Sequence, residues 1–292
     1  MSFIQKYAPK TFGEYVGSKT SRIALNILKD SYIGNGALKR NHPNDVWEGP
    51  KVAIIGPKGG GKTTLARLMA KACYCDKGPD GGPCGVCAHC QDFEHWYYKG
   101  ELYSNAVTKF DDGELVGAPC STEIINTSTL DTTRLRKMMD YLLPFYEPTI
   151  FSMVPVYIFD EAHRMSREVT HIFLHALDYK TPAILMFCVA KERTRHDDNL
   201  HKMDRAILRR LYPLEISTPD FGEVMMLAKK VVANEGLKVK STKALGRLLE
   251  SVNLIPNDVL RMLEMAKICK EEITEQWVEE SVKAIVTGDE AC

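Results

Sequence analysis

The 292-residue sequence lacks the features that would assign it at once to a membrane, secreted or strongly charged class. Its formal net charge is zero, so no overall field draws it towards nucleic acid or an anionic membrane, and such contacts require local patches. It contains no run of about 18 apolar residues, and the opening MSFIQKYAPK lacks the apolar core of a signal peptide. Internal repeats and low-complexity segments are missing as well. These absences predict a cytoplasmic protein that does not enter the membrane.

The composition is that of a globular chain. An apolar fraction of 45% is enough for a proper core in one large domain or two ordinary ones. Cysteine is not scarce, since there are nine, but four are bunched in one short segment and the others lie among hydrophobic residues. This distribution is not that of a secreted scaffold held by disulfides.

Residues 51–64, KVAIIGPKGGGKTT, form the stretch around which the rest of the chain is organised. The run 52–55 predicts a strand and LARLMAKACY predicts a helix, which is the context of a phosphate-binding G-x-x-x-x-G-K-[ST] loop rather than an ordinary glycine-rich turn. In such loops the backbone N–H groups face one anion, the lysine reaches the terminal phosphates and the hydroxyl binds magnesium. The predicted ATP-binding residues are Gly56, Pro57, Gly59, Gly60, Gly61, Lys62, Thr63 and Thr64.

Two adjacent acids follow another apolar run. Residues 154–159 predict a strand that ends directly in Asp160 and Glu161. Alone, such a pair is common and has a plain explanation as a helix cap, but behind a P-loop it is the other half of a phosphoryl-transfer site. We predict that Asp160 holds magnesium through water beside the Thr63 hydroxyl, and that Glu161 orients and deprotonates the attacking water.

The four bunched cysteines have the spacing of metal ligands. Cys75, Cys84, Cys87 and Cys90 follow a C-x8-C-x2-C-x2-C pattern, in which each C-x2-C step offers a tight pair of thiolates for tetrahedral zinc. The intervening loop is rich in Gly, Pro and Asp and cannot pack by itself. We predict structural zinc, with a reduced metal-free cluster and a redox pair as alternatives. Cys73 or His89 could substitute as a ligand, although we expect Cys73 to be packed and His89 to be exposed.

Hydrophobic runs predict an α/β fold with a five-stranded parallel sheet. The run 183–189 is apolar throughout, so we expect it at the centre of the sheet. From Pro219 onwards the strand signals stop and helical periodicity takes over. We therefore predict a P-loop domain over 1–218, with a cysteine module inserted at 73–90, and a helical domain over 219–292. The other predicted strands are 52–55, 121–127, 154–159 and the segment after RAILRRL, and the predicted helices include 132–143, 166–177, 224–232, 245–252, 259–268 and 277–285.

Before the P-loop we expect an extended Pro-containing segment, then a helix that Ser18 or Thr20 caps. The segments 34–50, 100–119 and 191–204 are polar and predict surface connections. The apolar faces of the first helix and of the helix at 132–143 are predicted to contain Ile23, Leu25, Ile27 and Leu28, and Leu135, Met138, Met139 and Leu142, respectively.

Several segments in the same order resemble the ATPase subunits of DNA clamp loaders, which are AAA+ proteins, and most closely the gamma/tau subunit of bacterial DNA polymerase III. The resemblance covers roughly residues 3–285. The cysteine module after a P-loop helix is far more diagnostic than the P-loop itself. The matching segments are KYAPKTFGEYVG, GPKGGGKTTLARLMAKACYC with PCGVCAHC, FDEAHRMSREVTHIFLHAL, and AILRRL in place of the family's Ser-Arg-Cys box.

The resemblance implies a helical lid after the AAA+ domain and a ring or spiral of AAA+ subunits that binds ATP at its interfaces. In the family this assembly grips primer–template DNA and opens a sliding clamp, and hydrolysis releases both. Lys62, Asp160 and Glu161 would be catalytic groups, and Arg210 would act in trans on the neighbour's γ-phosphate. Arg205 and Arg209 are alternatives, because a basic cluster on one helix is usually a solvated face.

The resemblance also implies DNA contacts, made to the backbone without sequence reading. Ser128, Arg136 and Arg167 match the family's contact positions. The family's basic residues just after that serine are Thr129 and Asp131 here, so weaker or differently placed contacts are expected.

The sequence departs from the family at its sensors and at its end. The first sensor falls on Ala190 and Lys191, and the second falls on Pro256 and Asn257 before Asp258, so we expect slow or regulated hydrolysis. The family's collar domain is missing after Cys292, so another subunit supplies a collar, the sequence is truncated, or assembly proceeds through AAA+ contacts alone. A clamp-loader-like regulator that assembles on DNA is therefore the alternative function. A helicase, suggested by the letters DEAH, lacks room for a second motor domain.

Overall fold

The computed structural model of the protein describes residues 1–34, 37–38, 49–78, 82–98, 122–142, 155–179, 181, 183–191 and 203–287. Most of the three predicted surface connections, together with Val154 and the side chain of Leu142, lie outside these residues. No helix in the described part of the chain is both long and apolar enough to cross a membrane.

The strands are β1 (Tyr32–Gly34), β2 (Ala37–Leu38), β3 (Lys51–Gly56), β4 (Thr122–Asn126), β5 (Val156–Asp160), β6 (Ile184–Ala190) and β7 (Tyr212–Glu215). Five of them form the central parallel sheet, in the order β4-β5-β6-β3-β7. The prediction that 183–189 is central is therefore confirmed, because β6 is the third strand of five and all its residues are buried. A separate antiparallel pair joins β1 and β2.

The helices are α1 (Phe3–Lys6), α2 (Ser18–Ser31), α3 (Lys62–Tyr74), α4 (Ala88–Tyr98), α5 (Thr132–Leu142), α6 (Arg167–Leu177), α7 (Arg205–Leu208), α8 (Phe221–Glu235), α9 (Thr242–Ser251), α10 (Pro256–Cys269) and α11 (Glu275–Thr287). They cover both faces of the sheet. Alternate residues of β3 point to opposite sides: Val52 and Ile54 join a core with α2 and α3, whereas Ala53 and Ile55 join a core with α5, α6 and α7.

Helices α8 to α11 correspond in sequence to the four helical segments predicted after Pro219, and they share a core of their own. This core also contains Phe3 from the other end of the chain, with Tyr7 and Val16 packed against it. The predicted boundary near residue 218 falls between β7 and α8 and stays a prediction.

Two predictions about the N-terminal region are wrong. The opening segment is not wholly extended, because α1 forms after Ser2, whose side chain accepts a hydrogen bond from the backbone N–H of Gln5 at 3.4 Å. Helix α2 begins at Ser18 itself, and the Ser18 N–H donates to the distant Glu223 carboxylate at 3.1 Å, so neither Ser18 nor Thr20 stands before the helix as its cap.

The predicted apolar face of α2 is wrong at one residue, Ile23, which is 37% exposed. The predicted Ile27 and Leu28 are buried, and Leu25 is partly buried against the same core. Ala24 is buried with them, because Ala24, Ile27 and Leu28 have the i, i+3, i+4 spacing of one helix face. In α5 the predicted inward residues Leu135, Met138 and Met139 are buried.

Candidate nucleotide-binding site

The predicted phosphate loop lies between the end of β3 and the start of α3, which begins at Lys62. Gly61, the residue before α3, has φ +85°, a left-handed conformation that favours glycine. Lys62 is only 8% exposed, and its Nζ donates to the backbone oxygen of Pro57 at 2.9 Å. Burial lowers the pKa of Lys62. The loop thus holds a buried ammonium beside the N–H groups of a helix start, an arrangement suited to polyphosphate.

Asp160 and Thr63 meet at the same edge of the sheet. The Thr63 hydroxyl lies 3.1 Å from each carboxylate oxygen of Asp160, across the short gap between α3 and the end of β5. Burial raises the pKa of Asp160, against the opposing effect of bonds from Thr63 and the Glu161 N–H. Cis oxygen ligands of magnesium lie about 3 Å apart, because each Mg–O distance is about 2.1 Å. These oxygens therefore fit a shared magnesium ion, directly or through water.

Glu161 occupies a strained turn after β5. Its φ is +56°, which is uncommon for a residue other than glycine, and its N–H donates to Asp160 Oδ1 at 3.0 Å. The buried Thr127 hydroxyl lies 2.9 Å from the Asp160 carbonyl oxygen and 2.7 Å from that of Glu161, so it supports this turn from the end of β4. On the carboxylate, Oε2 lies 3.2 Å from Nε of Arg164 and 3.4 Å from Nε2 of His163.

The predicted sensor positions also reach this edge. Ala190 ends β6 opposite Gly56, and the Lys191 N–H donates to the Gly56 carbonyl at 2.9 Å. The Lys191 ammonium pairs with Glu215 at the end of β7. A Cβ built on Gly59 would lie 3.6 Å from Cβ of Asn257, so the first turn of α10 lies against the loop.

Sequence reasoning missed two residues that support the site. One is Thr127, for which the only signal was its place as the last residue of the predicted strand 121–127. The other is Tyr15, which is buried against the P-loop with its hydroxyl 3.5 Å from the carbonyl oxygens of both Gly60 and Gly61. Its ring would lie 3.2 Å from a Cβ at Gly61, and burial raises its pKa.

The structure brings the four predicted zinc ligands together. The sulfur atoms of Cys75, Cys84, Cys87 and Cys90 all lie within 4.8 Å of one another. Tetrahedral zinc with Zn–S bonds of about 2.3 Å would place its sulfurs about 3.8 Å apart, so the cluster fits this ion. A Cβ on Gly82 would lie 2.9 Å from the Cys75 sulfur, which requires glycine where the loop passes the cluster.

Backbone donors face these sulfurs. The Cys84 N–H lies 3.3 Å from the Cys75 sulfur, and the Cys87 N–H lies 3.4 Å from the Cys84 sulfur. Bonds from the Val86 and Cys87 N–H groups lower the pKa of Cys84 to about 6, whereas burial raises that of Cys90. These donors suit thiolates, the form that binds metal.

The two alternative zinc ligands are engaged elsewhere. Cys73 is buried in α3 with its sulfur 3.2 Å from the Met69 carbonyl oxygen, and His89 Nδ1 lies 2.8 Å from Oδ1 of Asp76.

Arg210 lies apart from the buried groups, just after α7. Its Nε and Nη2 donate to the two carboxylate oxygens of Asp178 at 2.6 and 3.1 Å, and its Nη1 donates to the Ala206 carbonyl at 3.0 Å. The Arg210 bond lowers the pKa of Asp178. Both side chains are partly exposed, so a neighbouring molecule can reach this guanidinium.

The three predicted DNA-contact residues are exposed. Ser128 lies in the 3₁₀ turn after β4, with its hydroxyl donating to Asn126 Oδ1 at 2.7 Å. Arg167 is the first residue of α6, and Arg136 of α5 lines a groove with Met139 and residues of α6. Ser128 and Arg167 therefore follow the carboxyl ends of neighbouring strands.

Comparison with curated proteins finds relatives at 25–30% identity. The gamma/tau subunit of DNA polymerase III from Mycobacterium bovis is 30% identical over 190 residues, which are 65% of this chain and 27% of that protein. The tau/gamma subunit from Haemophilus influenzae is 25% identical over 90% of this chain and 32% of that protein. Protein STICHEL of Arabidopsis thaliana is 26% identical over 97% of this chain and 20% of that protein. Over most of its length, this chain therefore resembles the AAA+ ATPase subunits of clamp loaders.

The clamp-loader-like chain spans about a fifth to a third of the length of these relatives. No protein-family model matches it. Among solved structures, the RuvB Holliday junction branch migration motor of Thermotoga maritima has a TM-score of 0.53 at 15% identity, covering 98% of this chain and 75% of that one. A variant of the same motor gives a TM-score of 0.54 at 16% identity over the same shares of the two chains. At this identity the likeness concerns the fold alone, which is the AAA+ fold predicted from the sequence.

Proposed function

We propose that this protein is an ATPase motor subunit of a DNA polymerase clamp loader, which uses ATP binding and hydrolysis to load a sliding clamp on primer–template DNA. The observation that carries the proposal is the Thr63–Asp160 contact beside Glu161, because it joins the phosphate loop to the acid pair with the spacing that magnesium requires. The named gamma/tau relatives give the DNA polymerase context.

Each site residue has one role in this proposal. The loop 56–64 wraps the phosphates with its N–H groups, and Lys62 exchanges the Pro57 carbonyl for phosphate oxygen. Thr63 and Asp160 would hold magnesium, which when bound would neutralise part of the negative charge of the phosphates. Glu161 accepts the proton of the attacking water. Asp160 and Lys62 both lose solvation on folding, and each charge stabilises the other.

Arg210 serves a neighbouring subunit in the proposed ring or spiral. A guanidinium that reaches a γ-phosphate in trans contributes about 10³–10⁵ to turnover in arginine-finger systems. Support comes from its position, because Arg210 is partly exposed and paired only with groups of its own surface among the described contacts.

The cysteine cluster and the DNA residues have supporting roles. Cys75, Cys84, Cys87 and Cys90 would hold a structural zinc ion, which fixes the loop behind α3. DNA would be held through its phosphates by Ser128, Arg136 and Arg167, all of which are exposed.

A clamp-loader-like regulator that assembles on DNA without loading a clamp is the second candidate. It is favoured by the sensor positions, where Ala190 has no polar side chain and Lys191 is paired with Glu215. Neither residue orients water as a hydroxyl would.

ATP turnover separates the two candidates. The full chain is assayed alone, with primed DNA, and with primed DNA plus a sliding clamp and its loader partners. Loading activity predicts that turnover rises when the clamp is added to DNA, and this rise should vanish in the Lys62→Ala variant. Stimulation by DNA with no further effect of the clamp would favour the regulator, and absence of ATP binding would overturn both.

A further inference from the structure

His163 links two parts of the site that the proposed function leaves unconnected. It belongs to the 3₁₀ turn Ala162–Arg164 after the acid pair, and its side chain is only 6% exposed. Its Nδ1 accepts a hydrogen bond from the Ala190 N–H at 3.3 Å, and its Nε2 lies 3.4 Å from Oε2 of Glu161. One buried ring therefore contacts both the end of β6 and the carboxylate proposed as the base.

The Ala190 contact selects the tautomer of this ring. A backbone N–H can donate to Nδ1 only when that nitrogen carries no proton, so the neutral ring carries its proton on Nε2. That N–H faces Glu161. A neutral donor orients a carboxylate while leaving its negative charge, and thus its basicity, in place.

Arg164, a cation beside this carboxylate, is poorly suited to orient it. Arg164 approaches the same oxygen at 3.2 Å, but its side chain is 59% exposed. Exposed ion pairs of this kind contribute little and exchange readily with water. The buried imidazole, in contrast, is held at both ring nitrogens.

The link continues from β6 into the phosphate loop. Ala190 pairs with Gly56 in the sheet, and the next residue, Lys191, donates its N–H to the Gly56 carbonyl at 2.9 Å. Ala190 has no polar side chain, so its backbone N–H is the polar group that this strand end offers to His163.

We infer that His163 is a positioning residue that orients Glu161 from the end of β6, so that the base is aimed at the phosphates bound by the adjoining loop. This role rests on the proposed hydrolysis at Glu161. In this role, the His163 imidazole and the Ala190 N–H together orient Glu161, a task that a polar side chain at the end of β6 would otherwise perform.

Two variants each keep one of the two contacts of the ring and lose the other. In His163→Gln the amide nitrogen can replace Nε2–H towards Glu161 but cannot reach the Ala190 N–H as an acceptor. In His163→Asn the amide oxygen can replace Nδ1 towards Ala190 but offers nothing to Glu161. His163→Ala removes both contacts, and His171→Gln, at an exposed histidine of α6, is the matched control.

Single-turnover hydrolysis and ATP affinity are measured for each variant. Because a general base contributes about 10²–10⁴ in rate, we expect the rate to fall about tenfold or more in His163→Ala and His163→Asn, with ATP affinity within about twofold. His163→Gln should keep most of the rate, and His163→Ala should add no loss to Glu161→Gln. Equal losses in the Asn and Gln variants, or wild-type rates in all three, would overturn the inference.

A second measurement does not depend on hydrolysis. Nitrogen-15 NMR of the histidine rings should give the His163 signals, identified by their loss in His163→Gln, as a neutral Nε2–H tautomer whose Nε2 shift changes in Glu161→Gln. A charged ring, an Nδ1–H tautomer or an unchanged shift would overturn the link. If the wild-type chain binds ATP without cleaving it, the proposed function fails, and this spectrum still decides the inference.

Discussion

Two regions contribute to the proposed site: the phosphate-binding edge, which contains Lys62, Thr63 and Asp160, and the Arg210 surface, where Arg210 pairs with Asp178. They differ in how far their charged side chains are exposed to solvent. At the edge, Lys62 is 8% exposed and bonded to Pro57, and Thr63 is bonded to Asp160. At the other surface, the Arg210 and Asp178 side chains are 34% and 55% exposed, and they form a bidentate pair.

This difference indicates which charged groups already have their partners within the chain. Buried charges need partners before any ligand arrives, and the edge supplies them from its own loop and strands. An exposed ion pair contributes little in water, so Arg210 can leave Asp178 for a phosphate at small cost. Burial thus separates Lys62, which is proposed to act within its own chain, from the arginine that is proposed to act on a neighbour.

The Arg210→Ala variant tests this separation with the largest expected effect. Turnover by the assembled protein should fall about 10³-fold or more, because an arginine finger is removed. Nucleotide affinity of the isolated chain should stay unchanged, which isothermal titration can measure. Arg209→Ala is the control, since Arg209 is its exposed neighbour. Weaker binding by the isolated Arg210→Ala chain would mean that this arginine acts within its own subunit.

The Glu161→Gln variant tests the phosphate-binding edge. Replacing the base with a neutral isostere should lower the hydrolysis rate about 10²–10⁴-fold while ATP remains bound. Rapid quench measures the rate, and retention of labelled ATP on a filter measures binding. Glu168→Gln, at an exposed acid of α6, should turn over normally. Normal turnover by Glu161→Gln would remove Glu161 from the base role.

The sequence predicted the buried side better than the exposed one. Gly56 to Thr64 are contiguous, so one motif places its own backbone and side chains. Arg210 could be singled out only by resemblance, and its bond to Asp178 could not, because the partners lie 32 residues apart on different elements. The packing of Phe3 into the core of α8 to α11 is equally non-local. Local patterns determine strands, loops and periodicity, whereas such contacts depend on how the finished elements pack.

The cysteine cluster adds a third kind of site, in which the described partners of the sulfurs are each other and nearby N–H groups. If zinc binds there, metal analysis after dialysis should give one zinc per chain for wild type and little for Cys84→Ser. Thermal unfolding of that variant should begin several degrees lower, because loss of the metal frees the loop. Cys73→Ser is the matched control, since the Cys73 sulfur is directed at Met69 rather than at the cluster. Equal zinc in both variants would exclude Cys84 as a ligand.

Glu235 extends the comparison to a buried carboxylate outside the proposed site, with the smallest expected effect. Its side chain is 2% exposed and is held by Lys267, by Lys6 at 2.6 Å and by the Tyr7 hydroxyl at 2.6 Å, and it thereby joins α1 to α8 and α10. The bonds from Lys267, then Lys6 and Tyr7, lower the pKa of Glu235 to about 2.

A folded pKa below the unfolded value of about 4.3 stabilises the fold above pH 4.3, and this stabilisation is lost as the pH falls towards 2. Glu235→Gln should therefore melt a few degrees below wild type at pH 6, and the gap should close between about pH 4.3 and 2. Glu272→Gln, at an exposed acid, should match wild type throughout. If the difference in melting temperature between wild type and Glu235→Gln stays constant with pH, Glu235 stabilises the fold by packing rather than by its charge. Hydrogen-bond partners within the chain would then not be enough to identify a charge on which the fold depends.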